Sequence, residues 1–163
     1  QGGENDDEVR AMATLVRDFI AWERSKGPPA RHVPPVWEVA CLCFYSKQEQ
    51  AIAKMLCEVT QDDRKTRFTV SDAPVEIVCG TVDRFQGREA DLVMLSMRNT
   101  RRVGFLDSPN RLNVGVTRAR QQLVIFGKAD YFGTCGTAEL EALARQTRLV
   151  EEQEVRRWRR GSK

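Results

Sequence analysis

The sequence predicts an α/β fold in which a mainly parallel sheet lies between layers of helices. The apolar run at residues 39–45 lacks the strict alternation of a half-exposed strand and is typical of a strand buried on both faces, and three further short apolar runs also predict strands. Segments with helical spacing separate these runs, and strands that alternate with helices favour a parallel sheet. With 163 residues, of which 41% are apolar, the chain is long enough for one domain with its own core. The predicted strands are residues 39–45, 75–79, 92–96 and 123–126.

The first predicted element is an amphipathic helix. Apolar residues recur at Val9, Met12, Val16 and Phe19, which is the spacing of one helix face, after an acidic first turn. A segment rich in proline at 27–35 ends this helix and predicts a stiff connector.

A second helix directly follows the first predicted strand. Ser46 and Glu49 have the spacing of a capping box, in which each side chain bonds the backbone N–H of the other residue. Because ligands of open α/β sheets bind where strands end and helices begin, residues 45–48 are expected at the functional edge. The alternative for Gln48 is an exposed helix residue.

The connection between the second and third strands is short. Residues 80–91 are near the lower limit for a parallel crossover, so any helix there must be short. Residues 61–67 are polar and predict a loop, and residues 137–149 predict a final helix. Beyond it, residues 156–160 combine arginines with one tryptophan, which is typical of a solvated tail and could also bind a nucleic-acid backbone.

Composition argues against several kinds of site. No apolar run is long enough to span a membrane and no signal peptide opens the chain, so an intracellular location, cytoplasmic or nuclear, is expected. The single histidine, His32, argues against a multi-histidine metal site, and no metal-ligand set is predicted. The five cysteines favour reduced core thiols, with Cys41 and Cys43 on one face of a strand.

A short helix is predicted over residues 108–120, between two of the apolar runs. The serine and proline that open it are a suitable N-cap and first helical residue. Arg111 and Arg118 are seven residues apart, nearly two turns, and are expected on one stripe with Gly115 between them. The glycine would let another backbone or a ligand come close.

The other stripe of this helix, with Leu112, Val116 and Ala119, is apolar and predicts its buried side. Two interpretations of the arginine stripe stay open. A cluster of charges is usually a solvated face. The alternative is an arginine finger, because a planar guanidinium fits phosphate oxygens and can neutralise charge on a transferred phosphoryl group.

A second polar stretch, residues 80–91, lies between two predicted core strands and is expected at the same ligand edge. Gln86 can orient a water molecule or a phosphate oxygen, Gly87 offers a bare backbone N–H, and Glu89 can accept hydrogen bonds from ribose hydroxyls. Alone, each of these residues is a weak signal.

Together, these stretches resemble the superfamily 1 helicases, in the branch that includes the RNA helicase of nonsense-mediated decay. Thr81–Asp91 resembles motif V of that branch, and Gly104–Arg120 resembles its motif VI with the lead-in. Val39–Gln48 is similar to the strand and first helical turn before a glutamine of this branch, although Phe44 stands where proline is common. The resemblance extends from Val39 to Phe126.

The resemblance implies a RecA-like three-layer fold, in which residues 1–150 are the second RecA-like domain of a helicase and residues 151–163 are a basic tail. Such a domain closes over ATP and Mg²⁺ that are held mainly by the first RecA-like domain. Its partners would be that domain and single-stranded DNA or RNA, with no membrane, and a monomer is expected. The implied site residues are Arg118 and Gln86 in catalysis, Gly87, Glu89 and Gln48 in ATP binding, and Thr81, Arg84 and Arg111 in nucleic-acid binding.

The sequence also departs from a complete motor. It has no G-x-x-x-x-G-K-[ST] loop to hold phosphates and Mg²⁺, and the arginine-bearing segment that normally begins the second domain is missing. The start at Gln1 predicts an excised or processed end. We therefore expect half of an ATP-dependent motor that is inactive alone, or else a catalytically silent module that binds nucleic acid or protein. The choice between DNA and RNA stays open, because such helicases grip the backbone more than the bases.

Overall fold

The computed structural model describes residues 4–26, 36–98 and 109–150, and its centre is a five-stranded sheet. The strands are β1 (Trp37–Cys43), β2 (Arg67–Thr69), β3 (Val75–Thr81), β4 (Ala90–Ser96) and β5 (Ala119–Phe126). Their order in space is β2-β3-β1-β4-β5, and neighbours are parallel except for β2 with β3. This arrangement confirms the predicted α/β fold, a RecA-like domain with a mainly parallel sheet.

Helices cover both faces of this sheet. They are α1 (Asp6–Ser25), α2 (Ser46–Thr60), α3 (Pro109–Val116), α4 (Ala129–Phe132) and α5 (Ala138–Gln146). The first two pack on one face, and the last three pack on the other face. The described residues therefore form three layers, with one apolar core on each side of the sheet.

The central strand β1 shows why the apolar run has no alternation. Val39, Cys41 and Cys43 belong to the core beneath α1 and α2. Ala40 and Leu42 belong to the opposite core. Because both faces of β1 are covered by helices, side chains pointing in either direction are buried.

Three of the five cysteines are buried thiols, and Cys57 and Cys135 are partly exposed. All five are free, and Cys41 lies opposite Cys79 in the register of β1 and β3. Burial raises the pKa of Cys41 and of Cys43 to about 12, and it raises that of Cys79 well above its ordinary value. These three thiols are therefore neutral at physiological pH, which confirms the prediction of reduced core cysteines that share a face.

The link from β3 to β4 must pass β1, because β1 lies between those two strands. Residues 82–87 make this crossing as a series of turns. Val82 and Phe85 anchor it, since both are buried in the core on the α3 side. The prediction that the crossover leaves room for at most a short helix is confirmed.

The predicted capping box is wrong. Tyr45 is the N-cap of α2, and among the described residues its side chain makes no capping hydrogen bond to the helix. Ser46 is already the first residue of α2. The Glu49 carboxylate accepts a hydrogen bond from Arg84 Nη1 at 2.8 Å instead of reaching back along the helix. A tertiary ion pair has displaced the local bond.

Strand β2 is an element that the sequence analysis did not predict. The loop before it ends at Thr66, and Phe68 in the strand is completely buried. Asp62 shapes this loop by accepting hydrogen bonds from the Arg64 guanidinium and from the backbone N–H of Thr69, which hold the pKa of Asp62 below its usual range. Three residues are too few for a strand pattern to show.

Several predictions fall outside the described residues. They concern the connector at 27–35, Ser108 as an N-cap, the lead-in at 104–108 and the tail at 151–163. In the part of the chain that is described, no helix has both the length and the apolar character needed to cross a membrane.

Candidate functional site

Helix α3 joins two groups of predicted site residues at opposite edges of the sheet. Near its start, Arg111 Nη2 donates to the carbonyl oxygen of Phe44, just after the carboxyl end of β1, at 3.3 Å. Past its end, the backbone N–H of Ala90, at the amino end of β4, donates to the Arg118 carbonyl at 3.0 Å. The helix therefore runs across one sheet face from the carboxyl edge to the amino edge, over roughly 12 Å for its eight residues.

At the carboxyl edge, Arg111 is held by Asp83 in a two-point ion pair. Arg111 Nε donates to Asp83 Oδ1 at 2.9 Å, and Arg111 Nη2 donates to the second carboxylate oxygen. The pairing raises the pKa of Arg111, so its guanidinium is charged and has a defined direction. Only 24% of the Arg111 side chain is exposed, whereas 56% of the Asp83 side chain is.

The other two predicted nucleic-acid residues lie at the same edge. Thr81 ends β3 and is nearly buried, and the backbone N–H of Val82 donates to the Cys43 carbonyl at 2.9 Å. Arg84 is 63% exposed, and its partner Glu49 is 10% exposed. The structure thus places Thr81 and Arg84 on the carboxyl side, together with Arg111.

At the amino edge, the Arg118 guanidinium closes the end of α3. Its Nε donates to the Val114 carbonyl at 3.0 Å, its Nη2 to Thr117 Oγ1 at 3.0 Å, and its Nη1 to the Arg88 carbonyl at 3.5 Å. A cation beside the last carbonyls of a helix also interacts favourably with the helix dipole. Arg118 therefore makes structural contacts in this arrangement and is half-buried.

The predicted common stripe of Arg111 and Arg118 is wrong. The helix ends at Val116, because the chain must extend from Ala119 to pair β5 with β4. Arg118 follows the helix in a turn, where Thr117 Oγ1 donates to a carbonyl of the last helical turn at 2.7 Å. Ala119, predicted on the apolar helix stripe, is instead the first residue of β5.

Gly115 allows another part of the chain to come close, which is one of the two uses predicted for it. It is buried against the sheet, and a Cβ added there would lie 3.3 Å from Leu95 Cδ2 and 3.4 Å from Val82 Cγ2. The missing side chain therefore allows α3 to lie close to β4 and to the crossover, and the glycine does not face a ligand.

The crossover carries Gln86, Gly87 and Glu89 toward Arg118. All three are exposed, Gly87 has a positive φ of 80°, and the space around its missing Cβ is open. The Arg88 carbonyl that Arg118 contacts lies between Gly87 and Glu89. The expectation that the whole 80–91 stretch lies at one edge is wrong, because the crossover leaves the carboxyl end of β3 and reaches the amino end of β4.

Gln48 lies at the carboxyl edge as well, but on the face of the sheet that α1 and α2 cover. It is fully buried, so the alternative of an exposed helix residue is wrong. Its Oε1 accepts the backbone N–H of Asn5 at 2.7 Å, and its Nε2 donates to Ser96 Oγ at 3.0 Å. Ser96 Oγ in turn donates to Glu8 at 2.6 Å. The role of Gln48 in ATP binding stays a prediction.

Glu8 is the residue of this region that the sequence analysis missed. It looked like one more acidic residue in the first turn of α1, but it is only 6% exposed. A usable signal was its position next to Val9 and four residues before Met12, which places it at the border of the apolar stripe.

No group of three or more metal-ligating side chains occurs within residues 4–26, 36–98 and 109–150.

Comparisons with known proteins identify a family and several relatives of this chain. Residues 2–130 match a family model described as an AAA domain. The chain is 42% identical over 95 residues to the "Helicase required for RNAi-mediated heterochromatin assembly 1" of Schizosaccharomyces pombe, which covers 56% of this chain and 8% of that protein. It is 43% identical over 126 residues to an uncharacterized ATP-dependent helicase of Caenorhabditis elegans, which covers 77% of this chain and 7% of that protein.

A third relative is the ATP-dependent helicase NAM7 of Saccharomyces cerevisiae, with 46% identity over 59 residues, 34% of this chain and 6% of that protein. The matched segments thus span less than a tenth of each of these relatives. The family model covers more than half of the chain, and these relatives are all helicases by name. The chain therefore belongs to the AAA domain family and is similar to several proteins named as helicases.

Proposed function

We propose that this chain is the second, C-terminal RecA-like motor domain of an ATP-dependent helicase that acts on single-stranded DNA or RNA. The observation that carries the proposal is the placement of α3, which has Arg111 near its start and Arg118 just past its end. One short rigid helix would then connect a nucleic-acid contact at the carboxyl edge with a nucleotide contact at the amino edge. Such a connection can couple ATP turnover to movement along a strand.

In this proposal, Thr81, Arg84 and Arg111 contact the nucleic-acid backbone. Both arginines are held by carboxylates, Glu49 and Asp83, so their direction is set before a strand binds. Contacts of this kind act on phosphates and sugars, which are common to every sequence. Binding that is independent of sequence and sensitive to salt is the expected result.

At the amino edge, Arg118 is the proposed arginine finger, with Gln86, Gly87 and Glu89 beside it. A finger acts on charge that develops on the transferred phosphoryl group. Arg118 must exchange its contacts with the Val114 and Arg88 carbonyls for phosphate oxygens when the first RecA-like domain closes. Open space around Gly87 and the exposure of Gln86 fit a surface against which a nucleotide can lie.

Most of the nucleotide contacts would come from the first RecA-like domain. This sequence has no phosphate-cradling G-x-x-x-x-G-K-[ST] loop, and its described residues present no ligand group for Mg²⁺. Gln48 is hydrogen-bonded to Asn5 and to Ser96 at the carboxyl end of β4, whereas the proposed nucleotide contacts lie at the amino end of that strand. The proposal therefore gives Gln48 a smaller part than the other ATP contacts.

One observation favours the second candidate, a catalytically silent module. The Arg118 guanidinium is used to close α3, a role that needs no nucleotide. The two functions differ in the ATP turnover of the whole helicase that carries this domain. The second candidate is correct if nucleic acid does not stimulate ATP turnover by that helicase. The first candidate, a motor, requires stimulated ATP turnover.

The 163-residue chain alone should not hydrolyse ATP under either function. Release of phosphate from ATP by the purified chain, measured with and without a single-stranded oligonucleotide, is the check. Steady turnover that disappears in Arg118→Ala would contradict the proposed division of the site between two domains.

A further inference from the structure

A buried polar network fixes the carboxyl end of β4, and the proposed function gives no role to Glu8 or Ser96 in it. At its centre is the Glu8 carboxylate, which accepts hydrogen bonds from Ser96 Oγ at 2.6 Å, from the backbone N–H of Arg98 at 2.8 Å and from Asn5 Nδ2 at 2.9 Å. A buried carboxylate is costly unless donors surround it, and here donors approach both of its oxygens. The network joins the start of α1 to the end of β4.

The bond from the Asn5 backbone N–H to Gln48 determines which group is donor and which is acceptor in the rest of the network. Because Gln48 Oε1 accepts the backbone N–H of Asn5, its Nε2 faces Ser96 and must donate to Ser96 Oγ. The Ser96 hydroxyl hydrogen is then directed at Glu8. Every neighbour presents a hydrogen to Glu8, which is the arrangement that an ionised carboxylate requires.

The same network holds Arg98 in an unusual backbone conformation. Arg98 has a φ of 59°, in the left-handed region that residues with a side chain seldom adopt. Its N–H donates to Glu8, and its carbonyl accepts Asn5 Nδ2 at 3.3 Å. Both polar groups of the Arg98 backbone are therefore fixed by the start of α1, which stabilises the left-handed turn.

This turn determines where the Arg98 side chain lies. Its guanidinium carbon is 4.4 Å from the centre of the Tyr45 ring, a cation–π contact just beyond the carboxyl end of β1. Thr81, Arg84 and Arg111 lie at this same edge. Arg98 is thus a cation at the edge where the proposed function places the strand.

We propose that Arg98 is a further contact for the nucleic-acid backbone and that Glu8 is the residue that positions it. The inference rests on the proposed function, because it needs a strand at the carboxyl edge. Glu8 itself touches no ligand. It acts by holding the backbone turn from which the Arg98 side chain projects.

The test is the salt dependence of binding by the purified chain. The probe is a fluorescein-labelled single-stranded oligonucleotide, of uridine or of thymidine, followed by anisotropy over a range of salt concentrations. Arg98→Ala should lower the slope of log K against log salt by about 0.7, the value for one phosphate contact on a single strand. The matched control is Arg24→Ala, which removes the same charge at the far end of α1, where Arg24 pairs with Asp72. Arg24→Ala should keep the full slope.

Two variants of Glu8 separate positioning from general stability. Glu8→Ala removes the acceptor of the Arg98 N–H and should give the same reduced slope as Arg98→Ala, with no further reduction in the double variant. Glu8→Gln keeps one oxygen for Ser96 and Arg98 and should restore the slope. If Glu8→Ala does not fold by circular dichroism, Asn5→Ala takes its place, because it removes the bond to the Arg98 carbonyl at the surface of the network.

The outcomes distinguish this inference from the proposed function. If Arg111→Ala and Thr81→Ala weaken binding while Arg98→Ala has the control's slope, Arg98 is no contact and the inference is wrong. If Arg98→Ala lowers the slope while a folded Glu8→Ala retains it, the positioning role of Glu8 is wrong. If none of the variants at this edge changes binding, the proposed nucleic-acid site itself fails.

Discussion

Arg111 and Asp83 form a two-point ion pair that ties the first turn of α3 to the end of β3. The carboxylate directs the guanidinium, and a third bond to the Phe44 carbonyl fixes the arginine from the side of β1. The pair therefore lies where α3, β1 and β3 meet at the carboxyl edge. The negative charge of Asp83 would repel a phosphate. Asp83 would therefore help nucleic-acid binding only through the direction that it gives to the Arg111 guanidinium.

Asp83→Asn should weaken binding of a single-stranded oligonucleotide several-fold, although the substitution removes a negative charge. One bond to Arg111 and the charge attraction are lost, so the guanidinium is less well directed. A purely electrostatic effect would instead strengthen binding of the oligonucleotide, because the surface becomes more positive. Fluorescence anisotropy at constant salt measures the difference.

The control for this experiment is Asp72→Asn, which makes the same change of charge in the pair with Arg24. Asp72 lies in the turn before the amino end of β3, away from the carboxyl edge. Its variant should bind as tightly as the unchanged chain or slightly more tightly. Tighter binding by Asp83→Asn as well would show that Arg111 needs no positioning.

Leu112→Ala should destabilise the fold by about 2–5 kcal/mol, because it opens a cavity between α3 and the sheet. Leu112 is 3% exposed and belongs to the core on this face. Asn110→Ala, on the same helix but exposed, should change the free energy of unfolding by less than about 0.5 kcal/mol. Urea unfolding of both variants is the measurement, and equal losses would mean that α3 is not packed through Leu112.

The three inner strands β3, β1 and β4 were predictable because they lie between two helical layers and need apolar side chains on both faces. β1 is the best case, since residues 39–43 are buried without a break. β5 was predicted only as residues 123–126, because its first half carries polar side chains at the sheet surface. The predicted end of α3 lies too far along the chain. Ala119 has the spacing of a helix residue in the sequence, but in the structure it begins the strand that pairs with β4.

Contacts between distant elements could not be read from spacing. Glu49 has a capping-box position, but its carboxylate pairs with Arg84, which is 35 residues away. Glu8 looks like a first-turn acid, but it is buried by the end of β4. The roles of the eight predicted site residues depend on a strand and a nucleotide, so these roles stay predictions.

The stability of the chain should depend on the protonation of Glu8. Burial raises the pKa of Glu8 above its ordinary value of 4.5, and the donors from Ser96 and from the backbone of Arg98 oppose this effect without cancelling it. A raised pKa in the folded state means that the folded chain binds the proton more tightly than the unfolded chain does. The contribution of Glu8 is therefore fully present below about pH 4.5 and is lost as the pH rises through the folded pKa.

This linkage can be measured against a variant that does not titrate. The free energy of unfolding of the unchanged chain, minus that of Glu8→Gln, should decrease as the pH is raised from acid to neutral. Other carboxylates cancel in the difference, because both chains contain them. A difference that increases with pH would mean that the donors outweigh burial and that the pKa of Glu8 is lowered.

In the proposed motor, Arg118 acts on the phosphoryl group when the first RecA-like domain is present. The most direct measurement is single-turnover ATP hydrolysis by the whole helicase with nucleic acid bound, for Arg118→Ala and Arg118→Lys beside the unchanged protein. We expect Arg118→Ala to lose about 10³–10⁵ in rate with much less effect on ATP affinity, and Arg118→Lys to leave the rate low because a point charge cannot replace the planar fork. Thermal unfolding of the same variants should be far less affected than that of Leu112→Ala. Full turnover by Arg118→Ala, or unfolding as early as that of Leu112→Ala, would show that Arg118 is no arginine finger and serves only to close α3.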